Sequence, residues 1–497
     1  MAVNVRTTVL DEYTAPRSVG VDAVTWFAWS LGLGVLTALW FVFSYGYIED
    51  DAFIHLEFAR SVAAGQGFAF NGLVTSGDTA PLWVLVLVSL HAVGLEWIEA
   101  AKLACLLGLG STVLAIVYLA RDLVADHASF KRLAPAAVAV TVLNPYFVHW
   151  SFSGMESVTA LGVSLWAIRA TFVRPPSWAG ALTSVTLLGI GPLLRPELLL
   201  LAGVGVPVTL WRYWRASQET ALKLGSRLAL LAAIGALPVL LWCVYALLTF
   251  GSPIPNTNMA KRGGGLSIVG PRLVSVYAAG FLVPLLLFPL VAIVRLLRGQ
   301  RAPAAVWVLA LWPLLCVVFY LADHTLVQTR YCLLSMPCLG ILTLWLLEDS
   351  ARPLSLRLAT GAMVLVSLLT VSLTVVPHVQ NKKETVRLYA GIGSFLANHV
   401  PKDAPVAVYA IGQLAFESRH PLVDVGGITR PSVIPYLNDP EATFQWAKRN
   451  GARYFISSHP PQAGAIPVYS VATPFLGWTF KHSSYGATEP LTVYRLP

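Results

Sequence analysis

Charged side chains are scarce in this chain. Asp, Glu, Lys and Arg supply 12% of its 497 residues, against roughly 25% in a typical soluble domain. That scarcity excludes an ordinary cytosolic enzyme. An apolar fraction of 56% excludes a disordered chain, which needs low hydrophobicity and high charge. Soluble-enzyme motifs are missing too. There is no Walker A loop and no HExxH, and Gly263-Gly264-Gly265 opens no helix that could cradle phosphate. Cys105, Cys243, Cys316, Cys332 and Cys338 lack CxxC or zinc spacing and fall in apolar segments, so they read as small buried hydrophobes. The excess of 34 basic over 25 acidic residues is no nucleic-acid signal, because no basic cluster carries interleaved aromatics.

What the chain has is a series of apolar runs, the mark of a polytopic α-helical membrane protein. Eleven candidate spans lie at 24–45, 100–120, 134–149, 157–173, 178–194, 197–211, 228–250, 274–297, 304–321, 331–347 and 357–377. The first follows a polar leader and shows no small-residue cleavage site, so it reads as an uncleaved span. Residues 81–95 are apolar as well. As a helix they reach only about 22 Å at 1.5 Å per residue, too short for a hydrocarbon core of roughly 30 Å. This segment reads as re-entrant or interfacial.

Charge placement agrees. With 81–95 kept from crossing, the loops at 121–132, 169–174, 211–227, 295–301 and 348–357 share one side and hold 14 of the 34 Arg and Lys. The opposite loops hold Glu49, Asp50, Asp51, Glu57, Asp78, Glu156, Glu197 and Asp323. The positive-inside rule then puts the N-terminus in the cytoplasm and the C-terminal part outside a plasma (inner) membrane. Residues 1–377 form the membrane domain. Residues 378–497 contain no run long enough to span and read as a small extracytoplasmic α/β domain, with a helix at 384–400, strands at 405–411 and 453–457, and a helix at 441–450.

Chemistry concentrates in the first outer loop. Glu49, Asp50 and Asp51 are adjacent, repel one another and tend to raise one another's pKa. They precede an amphipathic stretch, AFIHLEFARSVAAGQG, suited to the interface. A solvated loop cap is one reading; a general base or a metal site at the membrane surface is the other. His55 lies four residues after Asp51, a weak metal-ligand spacing. Glu156 is either a second acid that orients an acceptor or a carboxylate complementing a helix dipole. Lys261 and Arg262 are candidate phosphate ligands or a snorkelling pair, Arg195 a phosphate ligand or the partner of Glu197, and Arg330 a buried cation. Asn256 and Asn258 are sugar-binding candidates or turn residues beside Pro253 and Pro255.

The run DDAFIHLEFARSVAAGQGFAFN…SGDTAPLWVLVLVSLH resembles the first extracytoplasmic loop of bacterial GT-C glycosyltransferases. The terminal arabinofuranosyltransferases and related sugar transferases are the nearest branch. NPYFVHWSFSGMES (144–157), LLRPE (193–197), FGSPIPNTNMAKRG (250–263) and TRYCLLSMP (329–337) continue the likeness in order. Asp78, in SGDTA before Pro-Leu-Trp, departs from the family's usual stretch. The resemblance implies a GT-C-like fold and an inverting transfer from a polyprenyl-phosphate sugar to an envelope glycan, lipid or protein. It places the base at Asp50 or Asp51, with Asp50 favoured, and Glu156 beside it. Donor phosphate would fall to Lys261, Arg262, Arg330 or Arg195, and sugar or acceptor to His55, Asp78, Asn256 and Asn258. No cofactor is needed on this reading, although a divalent metal at Glu49, Asp50, Asp51 and His55 fits the same loop. A transporter, flippase or polymerase of envelope lipids is the alternative. The C-terminal domain is expected to guide the acceptor.

Overall fold

The computed structural model describes residues 23–124, 126–261, 266–298, 304–350, 353–437, 439–458, 464–472 and 490–497. In chain order the first half holds α1 (Ala23–Ser44), α2 (Asp50–Ala63), the short strands β1 (Ala69–Phe70) and β2 (Leu73–Val74), α3 (Pro81–Ala92), α4 (Trp97–Leu123), α5 (His127–Val142), α6 (Pro145–Trp150), α7 (Ser157–Ile168), α8 (Trp178–Ile190), α9 (Leu198–Ala216) and α10 (Ala221–Phe250). The second half holds α11 (Asn256–Lys261), α12 (Leu266–Leu297), α13 (Ala304–Ala322), α14 (Thr329–Leu333), α15 (Met336–Ser350), α16 (Pro353–Thr370) and α17 (Val376–His399). The C-terminal part adds β3 (Val406–Val408), α18 (Ile411–Ser418), β4 (Leu422–Asp424), α19 (Pro440–Arg449), β5 (Tyr454–Ser457), β6 (Ile466–Val471) and β7 (Leu491–Arg495).

Each of the eleven expected runs is largely helical. Among the described residues four helices are long and apolar enough to cross a bilayer by themselves: Trp97–Leu123, Ala221–Phe250, Ser267–Leu297 and Leu354–His399. Their outer faces are apolar. Leu237, Leu240, Leu241, Val244 and Leu248 of α10 are all exposed, as are Leu282, Leu286, Leu290 and Ile293 of α12. Such bands cannot face water without a large loss of burial energy, so the chain is an integral membrane protein. At about 1.5 Å per residue α3 reaches only about 18 Å, too short to cross, as its sequence requires.

One span boundary differs from the sequence reading. The run expected at 134–149 is broken after Val142. Asn144 caps α6, its side chain accepting from the Tyr146 amide at 2.9 Å, and Pro145 takes the first helical position, where its missing N–H costs nothing. Apolar composition continues across this break, and periodicity alone misses it. The last apolar helix continues past the expected domain boundary at 377/378. After α16 a π-helical turn at Val371–Val375 leads directly into α17, so the last apolar helix runs unbroken to His399.

The C-terminal part is a five-stranded mixed sheet in the order β4-β3-β5-β7-β6, with β3 parallel to β4 and β5 and with β7 antiparallel to β5 and β6. The expected strand at 405–411 is three residues long, because α18 begins at Ile411. This α/β unit sits on α2. Arg60 donates to the Phe416 carbonyl at 3.1 Å, Phe53 packs on Phe416 with ring centroids 5.5 Å apart, and the Leu422 amide donates to Asn71 at 2.8 Å.

Candidate functional site

The site forms where the top of α1, the start of α2, the loop after α6 and α14 meet beneath the C-terminal unit. Gly154 lets the loop come this close. Its φ is +85°, and a Cβ there would lie 2.9 Å from Ala52. The Trp83 indole of α3 donates to its carbonyl at 3.1 Å. Lys102 of α4 is buried and donates to the carbonyls of Ser44, Tyr47 and Phe152. One ammonium thereby ties both loops and satisfies backbone acceptors that would otherwise be orphaned. The sequence reading missed Lys102, because its partners are carbonyls from distant segments.

The three consecutive acids point to three different places, since successive residues at a helix start diverge by roughly 100°. Glu49 accepts from Tyr47 at 2.9 Å and from Lys382 of α17 at 2.8 Å, with His149 Nε2 at 3.2 Å and His378 Nε2 at 3.6 Å. Asp50 turns to the C-terminal unit. Its carboxylate accepts from the backbone amides of Gly412 (3.2 Å) and Gln413 (2.9 Å), at the N-terminus of α18. Asp51 accepts from Arg330 Nη2 at 2.6 Å and keeps 32% of its side chain exposed. The metal set of Glu49, Asp50, Asp51 and His55 is therefore not assembled. The expectation that Asp50 serves as base meets the same geometry, because both its oxygens cap a helix. Burial, helped by the Asp51 charge, pushes the Asp50 carboxyl up to about 6 against the pull of those amides.

Below Asp51 runs a buried chain of charge. His55 Nδ1 lies 2.5 Å from Asp78 and its Nε2 3.3 Å from Glu156. Arg195 bonds Glu156 at 2.9 Å and Glu197 at 2.8 Å, and Tyr320 donates to Glu197 at 3.2 Å. Burial alone would push the His55 imidazole down, but Asp78, backed by Glu156, raises it to about 10, so His55 is an imidazolium at neutral pH. Burial raises the Glu156 carboxyl, yet the His55 hydrogen bond and the Arg195 charge outweigh it and hold the group well below the carboxylate range. Glu156, His55, Asp78 and Arg195 thus neutralise one another. These residues, expected as second acid, sugar ligands and phosphate ligand, are thus brought together in one buried network.

Arg330 is different. It is 4% exposed, and its Nε has no hydrogen-bond partner among the described residues. It lies over the rings of Trp150 (5.4 Å) and Tyr331 (5.5 Å), and Arg195 stacks on Tyr331 at 4.7 Å. Asn256 fastens the loop before α11, its amide donating to the Ser76 carbonyl at 2.8 Å and its side chain to Thr75 at 3.2 Å. Asn258 donates to Asp323 at 3.3 Å. Both are hydrogen-bonded to loops of the outer end. Lys261 ends α11, and Arg262 lies outside the described residues.

Comparison with solved structures identifies this architecture as a GT-C-type fold. ArnT from Cupriavidus metallidurans bound to undecaprenyl phosphate is similar over 95% of this chain and 98% of its own, at 16% identity and a TM-score of 0.61. The apo form of that protein is similar over 96% and 99%, at 15% identity and a TM-score of 0.58. A family described as a domain of unknown function (DUF8728) matches residues 378–494. No curated protein matches the sequence.

Proposed function

We propose that the chain is an inverting glycosyltransferase that takes a sugar from a polyprenyl-phosphate donor at the outer membrane surface, with Asp51 as general base and Arg330 as the cation facing the donor phosphate. The observation that carries this reading is the Asp51–Arg330 pair. It couples a partly exposed carboxylate to a buried guanidinium with a spare donor, in a fold shared with a protein crystallised with undecaprenyl phosphate. Asp51 takes the acceptor hydroxyl proton as that oxygen forms a bond to the anomeric carbon. The bond from carbon to phosphate oxygen breaks, and the leaving phosphate takes the electron pair beside Arg330.

The test compares variants in membranes supplied with polyprenyl-phosphate sugars. Asp51→Asn lowers turnover about 10²–10⁴-fold while donor binding persists, and Asp50→Asn keeps near-normal turnover. Arg330→Ala loses a charge-assisted contact of about 1.5–3 kcal/mol, read as a ten- to hundredfold weaker donor affinity. Full turnover in Asp51→Asn removes the base assignment. Loss confined to Asp50→Asn transfers it to that residue.

A further inference from the structure

We propose that Glu49, His149 and His378 form a binding site for a divalent transition-metal ion of the zinc class, bracing the top of α1 against α6 and the rod α17. The metal-accepting atoms are Glu49 Oε1, His149 Nε2 and His378 Nε2, which lie within 4.8 Å of one another. The spacing of the two imidazole nitrogens from one carboxylate oxygen is close to that of ligands on a shared ion. Ligands on a tetrahedral ion at 2.0–2.1 Å are separated by about 3.3 Å. His149 Nε2 is 3.2 Å and His378 Nε2 3.6 Å from the same carboxylate oxygen, and the second distance is beyond a hydrogen bond. Two imidazole nitrogens and one carboxylate are a familiar donor set for zinc and its neighbours, with a fourth position left for water.

His149 and Glu49 are held before any ion arrives. The His149 ring stacks on Trp150 at a centroid distance of 4.5 Å and 3° between planes, and the Trp150 indole donates to Thr329 at 2.9 Å. Glu49 gives Oε2 to Lys382 and Oε1 to Tyr47, so its carboxylate is oriented with one edge toward the imidazoles, the outer-shell pattern of built metal sites. Lys382 bonds the oxygen away from the proposed ion. His378 is 27% exposed, which leaves a path for entry. The site is separate from the Asp51–Arg330 pair, but Trp150 touches both. An ion here therefore fixes the wall on which Arg330 lies without entering the chemistry.

The test uses the full-length protein in detergent, with any purification tag cleaved and metal stripped by a chelator. Zn²⁺ is titrated against a competing indicator, and Co²⁺ is added separately for its visible absorption. One equivalent of Zn²⁺ per chain is expected, with a Co²⁺ spectrum of mixed nitrogen and oxygen ligation. His378→Gln and Glu49→Gln each weaken binding by more than the ~10–100-fold that loss of an outer-shell partner costs. His378 is at the surface of the rod, so its variant folds where His149→Gln fails; gel filtration and thermal melting verify this. Absence of stoichiometric binding overturns the site, as does affinity unchanged in folded His378→Gln. Neither readout depends on sugar transfer, so this inference and the glycosyltransferase reading fail independently.

Discussion

At the scale of the residue, the most informative side chain is His55. Adjacent in sequence to nothing it pairs with, it sits between Asp78, 23 residues on, and Glu156. Its folded pKa is raised, to about 10 from 6.5. The stability it contributes is therefore complete below pH 6.5 and lost as pH rises through about 10. Glu156 has the opposite sign: its depressed pKa contributes stability above 4.5 that is lost as pH falls through the folded value. His55→Gln should leave two buried carboxylates short of a partner, a loss of about 3–5 kcal/mol by analogy with broken buried pairs. The measurement is thermal melting of wild type and variant from pH 6 to 10.5. The gap between them should shrink as pH approaches 10. A gap independent of pH would mean that His55 is neutral in the folded protein.

At the scale of the element, α2 couples the membrane part to the C-terminal unit through its own first turn. Asp50 caps α18, and the fit is close: a Cβ on Gly412 would lie 2.1 Å from the Asp50 backbone oxygen. Gly412→Ala must push the two helices apart, at a cost of about 1–3 kcal/mol for overpacking. Asp50→Ala loses a cap worth about 0.5–2 kcal/mol. Hydrogen exchange of the α18 amides should rise in both variants, while α4 and α7 stay protected. Protection unchanged in both would show that Arg60 and Phe416 alone hold the units together. The helices themselves were legible, because apolar runs bounded by Arg, Pro and Gly leave little choice. The directions of Glu49, Asp50 and Asp51 were not. A triplet of acids in sequence carries no sign of which will meet α17, which α18 and which Arg330, since all three partners lie hundreds of residues away. The same limit hid Lys382 and His378, which sequence composition assigns to a soluble tail and which the unbroken rod returns to the top of α1.

At the scale of the whole molecule, the two ends are chemically distinct, and this was the part most legible from sequence. One end holds Glu49, Asp50, Glu156 and Glu197, the C-terminal unit and the Asp51–Arg330 pair. The other gathers the basic loops. There Arg132 bonds Glu348, Arg169 bonds Asp122 at 2.7 Å, Arg212 donates to the Arg174 carbonyl at 2.9 Å and the Trp345 indole donates to the Leu123 carbonyl at 2.8 Å. Contacts between loops that are far apart in sequence put them on one face, independently of any charge count. We predict from the positive-inside rule that this face is the cytoplasmic one. A phosphatase reporter that is active only outside the cytoplasm should be silent when fused after residue 126 and active after residue 400. An active fusion at 126 would invert the molecule and place Asp51 on the cytoplasmic surface. A donor carried on the outer leaflet would then be out of reach of the base, and the proposed transfer would have to draw its sugar from the inner leaflet instead.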